Sequence, residues 1–205
     1  MATLDNTAAL RACYPDALER SLQKQLDRID RHCARFIELS PFFVMASAGP
    51  DGTADASPRG GPPGFVHVRD EHTLLVPDWP GNNRLDSLTN LAASPGVGLL
   101  FMVPGVDETL RVNGTVEIST DPALLERFAA DGRREPRTVL VVTVHDAYLH
   151  CAKALMRSRL WDPDVQMPRS ALPTMGEMMR DHTGSSEEPE SQAAMVERYN
   201  EILYP

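Results

Sequence analysis

"PFFVMASAGPDGTADASPRG", Pro41 to Gly60, decides the fold. A proline is followed by a short apolar run, then by Gly-Pro-Asp-Gly, then by a second short segment that ends in glycine. The pattern reads as a buried strand, a tight turn and a returning strand, because "GPDG" supplies the residues that tight turns require. Working outward from this hairpin, strand-like runs continue at "GFVHV", "TLLVP", "VGLLFMV", "TLRVNGTVEIS" and "RTVLVVTVHDAYLH", rich in Val, Leu, Thr and Phe and punctuated by Gly, Pro and Asp. That makes about six or seven strands. Two helical candidates interrupt them, Asn83 to Ala93 and Asp121 to Ala130, the second with a Thr or Asp cap and a proline in its first turn. They are too few and badly placed for regular strand–helix alternation. A closed, mainly antiparallel barrel with flanking helices fits better than a doubly wound sheet.

The flanks are helical. From Pro15 to Leu39, apolar residues at Leu18, Leu22, Leu26, Ile29, Cys33, Phe36 and Ile37 recur at three- and four-residue steps, which predicts one amphipathic helix that stops before Pro41. After Trp161 the chain becomes proline-broken and methionine-rich, with two helical pieces expected. The last, Glu188 to Leu203, places Met195, Val196, Tyr199 and Leu203 on one face, suited to a sheet edge or a partner subunit. The expected division is a helical extension over 1–40, one barrel domain over 41–161 and a C-terminal extension over 162–205 that packs on the barrel or on a partner.

The 205 residues suffice for one sizeable core. A formal net charge of -9 argues against a nucleic-acid binder, which needs a concentrated basic face, so any bound anion requires a local pocket. Cys13, Cys33 and Cys151 show no metal-type pairing, and their odd number suits a reducing compartment. With no basic start before an apolar run, and no stretch of about 18 apolar residues, a cytoplasmic protein free of membrane is expected. The adjacent pairs His32-Cys33 and His150-Cys151 lack zinc-site spacing, so no metal is expected. Gly-x-Ser-x-Gly and the nucleotide-cradling glycine loops are absent.

Four clusters can carry chemistry. In "PDWPGNNRLDSL", Asn82 or Asn83 can cap the helix that follows, whose start offers free backbone donors beside Arg84; this suits a phosphate, or is simply a capped turn with a solvated arginine. In "SPRGGPPGFV", Ser57 and Arg59 sit among glycines that allow close ligand approach, or that merely break a strand. In "ETLRVNGTVEI", Arg111 and Asn113 share one strand face, which lines a cleft or meets water. In "HCAKALMRSRLW", Lys153 and Arg157 share a helical face that ends near Trp161, fit for an aromatic anion or for ordinary solvation.

Taken in order, these motifs together with "FFVMASAGPDGTADASPRGGPPGFVHV" and "PGVGLLFMVPG" resemble the pyridoxamine 5'-phosphate oxidase-like family, in particular the branch of FMN-dependent enzymes of undefined substrate that carries Ser-Pro-Arg-Gly and Gly-Asn-Asn-Arg. The resemblance covers about Phe42 to Trp161. It implies a mainly β fold with flanking helices, a six-stranded antiparallel split β-barrel, and a homodimer with FMN at the subunit interface. By matched position, Arg59 and Arg84 become phosphate ligands with Asn83 assisting and Asn82 at the rim. Ser57, Pro58, Val76, Pro77 and Asp78 lie along the ring and ribityl chain. Lys153, Arg157, Ser158 and Trp161 close the pocket from the other subunit, and Arg111 lies on the interface strand. The family's characterised oxidase carries a lysine shortly after the arginine that meets the phosphate, and "PRGGPPGFV" has none; its substrate-phosphate set is not recognisable either.

The implied activity is hydride transfer between a small substrate and FMN, with no side chain assigned as catalytic acid or base. The alternative is a non-catalytic protein that sequesters or senses flavin or haem, for which His67 or His150 offers an axial ligand. A deazaflavin in place of FMN is a further variant.

Overall fold

The computed structural model describes residues 3–129 and 135–203. Its centre is one antiparallel sheet built from β1 (Phe42–Ala48), β2 (Ala54–Gly60), β3 (His67–Asp70), β4 (Thr73–Asp78), β5 (Gly96–Met102), β6 (Thr109–Ser119) and β7 (Thr138–His150), in the spatial order β2-β1-β5-β6-β7-β4-β3. The strand count is seven rather than six. Gly64 takes a positive φ of 80° and the Phe65 N–H closes a turn on the Pro62 carbonyl, so β3 begins only at His67. Phe65 and Val66 leave that turn pointing into the core.

The hairpin of residues 42–60 forms as its sequence predicts: Gly52, at φ 80°, donates its N–H to the Gly49 carbonyl, and seven residue pairs follow in register from Ala48 opposite Ala54 to Phe42 opposite Gly60. Alternation then sorts the side chains by face. Phe43 and Met45 of β1 pack inward with Leu99 and Phe101 of β5 and Leu110 and Val112 of β6, and the Phe43 ring lies 5.0 Å from Phe101 and 5.7 Å from Phe65. Each such side chain contributes roughly 1.5–3 kcal/mol by leaving water.

The single helix expected over Pro15 to Leu39 is instead two helices, α2 (Glu19–Gln23) and α3 (Arg31–Leu39), after a short α1 (Thr7–Ala12). The long strand β7 explains the break. Because β4 pairs with it only as far as Thr143, the Ala147 backbone is left open, and Leu26 exchanges both hydrogen bonds with Ala147 at 2.9 Å. The chain restarts as α3 at Asp30, whose carboxylate accepts from the N–H groups of His32 and Cys33. Ile29, Cys33 and Ile37 then join the main core, and the helix ends at Leu39, before Pro41.

The second expected helix start also moves. α4 spans Asp86–Ala93, not Asn83 to Ala93, because Asn83 and Leu85 both adopt left-handed backbone, each with φ 59°. α5 (Pro122–Ala129) follows Asp121, which caps it, and buries Phe128 against Leu75 and Val139 on the outer side of the sheet; the expected end at Ala130 lies outside the described residues. After β7 come α6 (Lys153–Ser158), α7 (Met175–Thr183) and α8 (Gln192–Leu203). α7 opens on a capping box between Thr174 and Glu177. Among the described residues no helix is long and apolar enough to cross a membrane.

Candidate functional site

Residues Asp55, Ser57 and Arg59 alternate on β2 opposite the buried Ser47, Met45 and Phe43 and therefore face the inside of the curled sheet. Asp78, at the end of β4, follows Val76 on the inner side of its own strand. The curl brings these two strands together although they lie near opposite ends of the strand order: Arg59 Nη2 is 3.7 Å from Asp78 Oδ1, with side chains 26% and 16% exposed. Burial pushes the Asp78 carboxyl above its ordinary range, and the Arg59 guanidinium counteracts this only in part.

That ion pair leaves Arg59 under-used. Its Nε is buried without a hydrogen-bond partner, and 3.7 Å is too long for a hydrogen bond from Nη2. Half-buried guanidinium donors without an acceptor are costly, so the geometry favours an anion at this point.

From Asp78 the chain runs through Trp79 and Arg84 to α4, where the Ser87 hydroxyl donates to Asp55 Oδ2 at 2.5 Å. The turn thus spans the four-residue step from Asp55 to Arg59 on β2, about 13 Å of strand, with Ser57 between the two tie points. Asp55 also receives the Ser47 hydroxyl, which in turn accepts from the Asn90 amide, so α4 is fastened to the hairpin by a polar chain. Trp79 packs on the core beside Phe65, at 6.4 Å between rings.

The helix mouth differs from the expected capped turn. Neither Asn82 nor Asn83 caps α4; its N-cap is Leu85, which has no side-chain acceptor to offer, and Asn82 Oδ1 instead accepts the Arg84 N–H within the turn. The first backbone donors of α4 consequently have no side-chain cap. Arg84 itself is turned to solvent, its Nε donating to Asp86 Oδ2 at 2.8 Å.

Of the other expected site residues, Val76 belongs to the core, while Pro58 and Pro77 alternate onto the face opposite Arg59 and Asp78. Arg111 also lies on the outer face, in a row with Leu100, Val44 and Pro58, so within one chain the sheet separates it from Arg59. There it stacks on Tyr148, which pairs with it across β6 and β7, at 4.2 Å. Lys153, Arg157 and Ser158 are exposed on α6, and Trp161 donates its indole N–H to the Val106 carbonyl at 2.9 Å; no hydrogen bond or ion pair joins these four to Arg59 or Asp78. Asp55, Ser87 and Asn90 were missed in the sequence, although the alternation Asp55, Ser57, Arg59 carried the signal for the first of them.

The family model for pyridoxamine 5'-phosphate oxidase matches residues 29–151, from the entry to α3 to the end of β7. Among solved structures, a histidine-to-alanine variant of HupZ from Group A Streptococcus is similar at 17% identity, covering 60% of this chain and 99% of its own, with a TM-score of 0.50. HupZ without that change aligns at 18% identity and a TM-score of 0.48, over 59% and 93% of the two chains. An FMN-binding protein from Syntrophomonas wolfei aligns at 9% identity and 0.47, over 60% and 88%. No curated protein matches the sequence. At such identities the likeness concerns the fold alone; the family model, spanning more than half of the chain and all seven strands, identifies this protein as a member of the pyridoxamine 5'-phosphate oxidase family, with a split-barrel sheet and flanking helices.

Proposed function

We propose that this protein is an FMN-dependent oxidoreductase that exchanges a hydride with a small substrate, working as a homodimer. The observation that carries the reading is the Arg59 guanidinium, held on the inner face of β2 beside Asp78 with its Nε lacking an acceptor. A flavin phosphate supplies such an acceptor, and the uncapped first turn of α4 supplies further N–H donors at the other end of the same strip. Arg84 joins by exchanging its exposed partner Asp86 for the phosphate, with Asn82 and Asn83 shaping the turn. Ser57 and Asp78 lie between and beside these groups as polar contacts, Val76 closes the floor, and Pro58 and Pro77 hold the two strands that carry them.

When bound, FMN supplies hydride and electron chemistry that side chains cannot. The protein's part is to orient the phosphate end by charge, keep an apolar floor beneath the site and restrict water. No side chain stands out as an acid or base for the reaction. Lys153, Arg157, Ser158 and Trp161 complete the pocket from the second subunit in this reading, since Lys153 and Arg157 are exposed on α6 and no ion pair engages either of them among the described residues.

The experiment is to release and identify the ligand that copurifies, to record its absorbance, and to repeat both for Arg59→Ala combined with Arg84→Ala. Wild-type protein should carry FMN that bleaches with a reductant and turns over with a donor. The double variant should bind FMN at least a hundredfold more weakly, since each charge-assisted hydrogen bond contributes about 1.5–3 kcal/mol. A deazaflavin mass, a Soret band or unchanged FMN content in the variant would each refute the assignment.

A further inference from the structure

Asp55, Ser47, Ser87 and Asn90 meet where the β1–β2 hairpin faces α4. The Ser87 hydroxyl donates to Asp55 Oδ2 at 2.5 Å, the Ser47 hydroxyl stands 3.5 Å from the same oxygen, and the Asn90 amide donates to Ser47 at 3.3 Å. Ser47 and Ser87 are buried, at 7% and 4% exposure. An amide oxygen or another hydroxyl would satisfy both. A carboxylate here gives up part of its hydration, and it shares its strand face with Ser57 and Arg59, beside the place assigned above to a phosphate.

What the carboxylate holds is the first turn of α4. Further along the helix Leu91 lies in the core and Leu88 packs against it, so the middle of α4 is fixed by apolar contact. The start has no such anchor. Residues 81–86 are exposed, Leu85 brings no side-chain cap, and Asn83 and Leu85 adopt left-handed backbone. Among the described residues, Ser87 to Asp55 is the one side-chain hydrogen bond between that first turn and the sheet. A short helix pinned in its middle can still tilt, and a tilt displaces both the N–H groups at its start and the turn that carries Arg84. Asp55 also reaches that turn through space. Asp86 by hydrogen bond and charge, and Asp55 by charge alone, hold the Arg84 guanidinium above its ordinary range, against the effect of burial.

We propose that Asp55 is a positioning residue: it ties the start of α4 to β2 and so sets the span between Arg59 and the helix start across which the phosphate is held. The inference rests on the flavin reading and adds to it a residue that acts through α4 rather than on the ligand itself. A tie and a charge effect have opposite signs at this position. A carboxylate near a phosphate repels it, so on charge alone the loss of Asp55 strengthens binding, whereas the loss of a tie weakens it. Ser87 separates the two again, because its removal cuts the tie and leaves every charge in place.

The test compares FMN with riboflavin, which lacks only the phosphate, in fluorescence titrations of protein freed of bound ligand, for wild type, Asp55→Ala, Ser87→Ala and the double variant. Wild type should favour FMN. Each single variant should lose about tenfold in FMN affinity and keep its riboflavin affinity within about twofold, and the double variant should lose no more than either alone, since both substitutions cut one tie. In the same ligand-free samples, amide exchange at the start of α4 should accelerate in the variants while that of β6 and β7 stays unchanged. Should Asp55→Ala not fold, Ser87→Ala carries the comparison. Tighter FMN binding by Asp55→Ala, equal losses for FMN and riboflavin, additive losses in the double variant, or an unchanged preference for FMN would each overturn the role of Asp55 and leave the flavin reading standing. A wild type that binds FMN no better than riboflavin refutes the phosphate assignment itself, and the positioning role falls with it.

Discussion

Arg59 shows how far a single residue is legible. Alternation along "ADASPRG" puts Asp55, Ser57 and Arg59 on one side of a strand and Pro58 on the other. What alternation does not encode is the partner. Asp78 meets Arg59 only because a seven-stranded sheet curls until strands from opposite ends of its order approach, and that curl is the sum of twists over every intervening strand. The turn after Asp78 departs from the expected capped form for a local reason. Asparagine is a favoured N-cap, but the left-handed conformations at Asn83 and Leu85 displace the helix start to Asp86, and Asn82 uses its side chain inside the turn. Cysteine reactivity also belongs at this scale. Burial, reinforced by the neighbouring Asp30 carboxylate, pushes the Cys33 thiol up to about 12, while Cys13 and Cys151 are exposed. At pH 8 an aromatic disulfide reagent should titrate two thiols in native protein and three in denaturant; three fast thiols without denaturant would contradict the placement of α3 in the core.

Among the elements, the strands were the legible part and the N-terminal helix was not. Three- and four-residue spacing holds from Leu18 to Ile37, yet Leu26 lies in an extended segment because β7 outruns β4 and offers open backbone hydrogen bonds at Ala147. Helical periodicity records which side of a segment is apolar, and an unfilled sheet edge can use the same leucine in another conformation. The joint between β6 and β7 carries a sharper constraint. Their register shifts between Asn113 and Gly114, and a Cβ at Gly114 would overlap the Thr143 carbonyl oxygen. Since backbone rather than a pliable side chain stands in the way, Gly114→Ala should cost about 2–4 kcal/mol. Urea unfolding with an unchanged slope and a lower midpoint would register it; a loss under 0.5 kcal/mol would mean that the bulge relaxes freely.

At the scale of the molecule, the barrel and its extensions differ in kind. α1, α2 and α6 bury no residue, and large apolar side chains such as Leu18, Leu22, Met156, Met167, Leu172 and Leu203 are exposed. The expected face of α8 is exposed too at Val196, Tyr199 and Leu203. Apolar surface distributed over both extensions fits a second copy better than solvent. Light scattering after gel filtration should therefore give twice the 22.6 kDa chain mass, and a variant with Leu18, Leu22 and Met156 changed to serine should shift toward the monomer while keeping its strand signal in circular dichroism. A monomeric wild type would dismiss the homodimer. The sequence displayed this apolar surface without saying what covers it, since a helical stripe looks the same against its own sheet or against another chain.

Pro58 has a consequence at this same scale. It lies in β2, an outermost strand of the sheet, which pairs with β1 alone. Proline brings no N–H to an approaching strand, and Asp55 and Arg59 on either side of it direct their charges inward. The border that would otherwise template strand upon strand is thereby blunted, and edge-to-edge polymerisation at β2 is disfavoured.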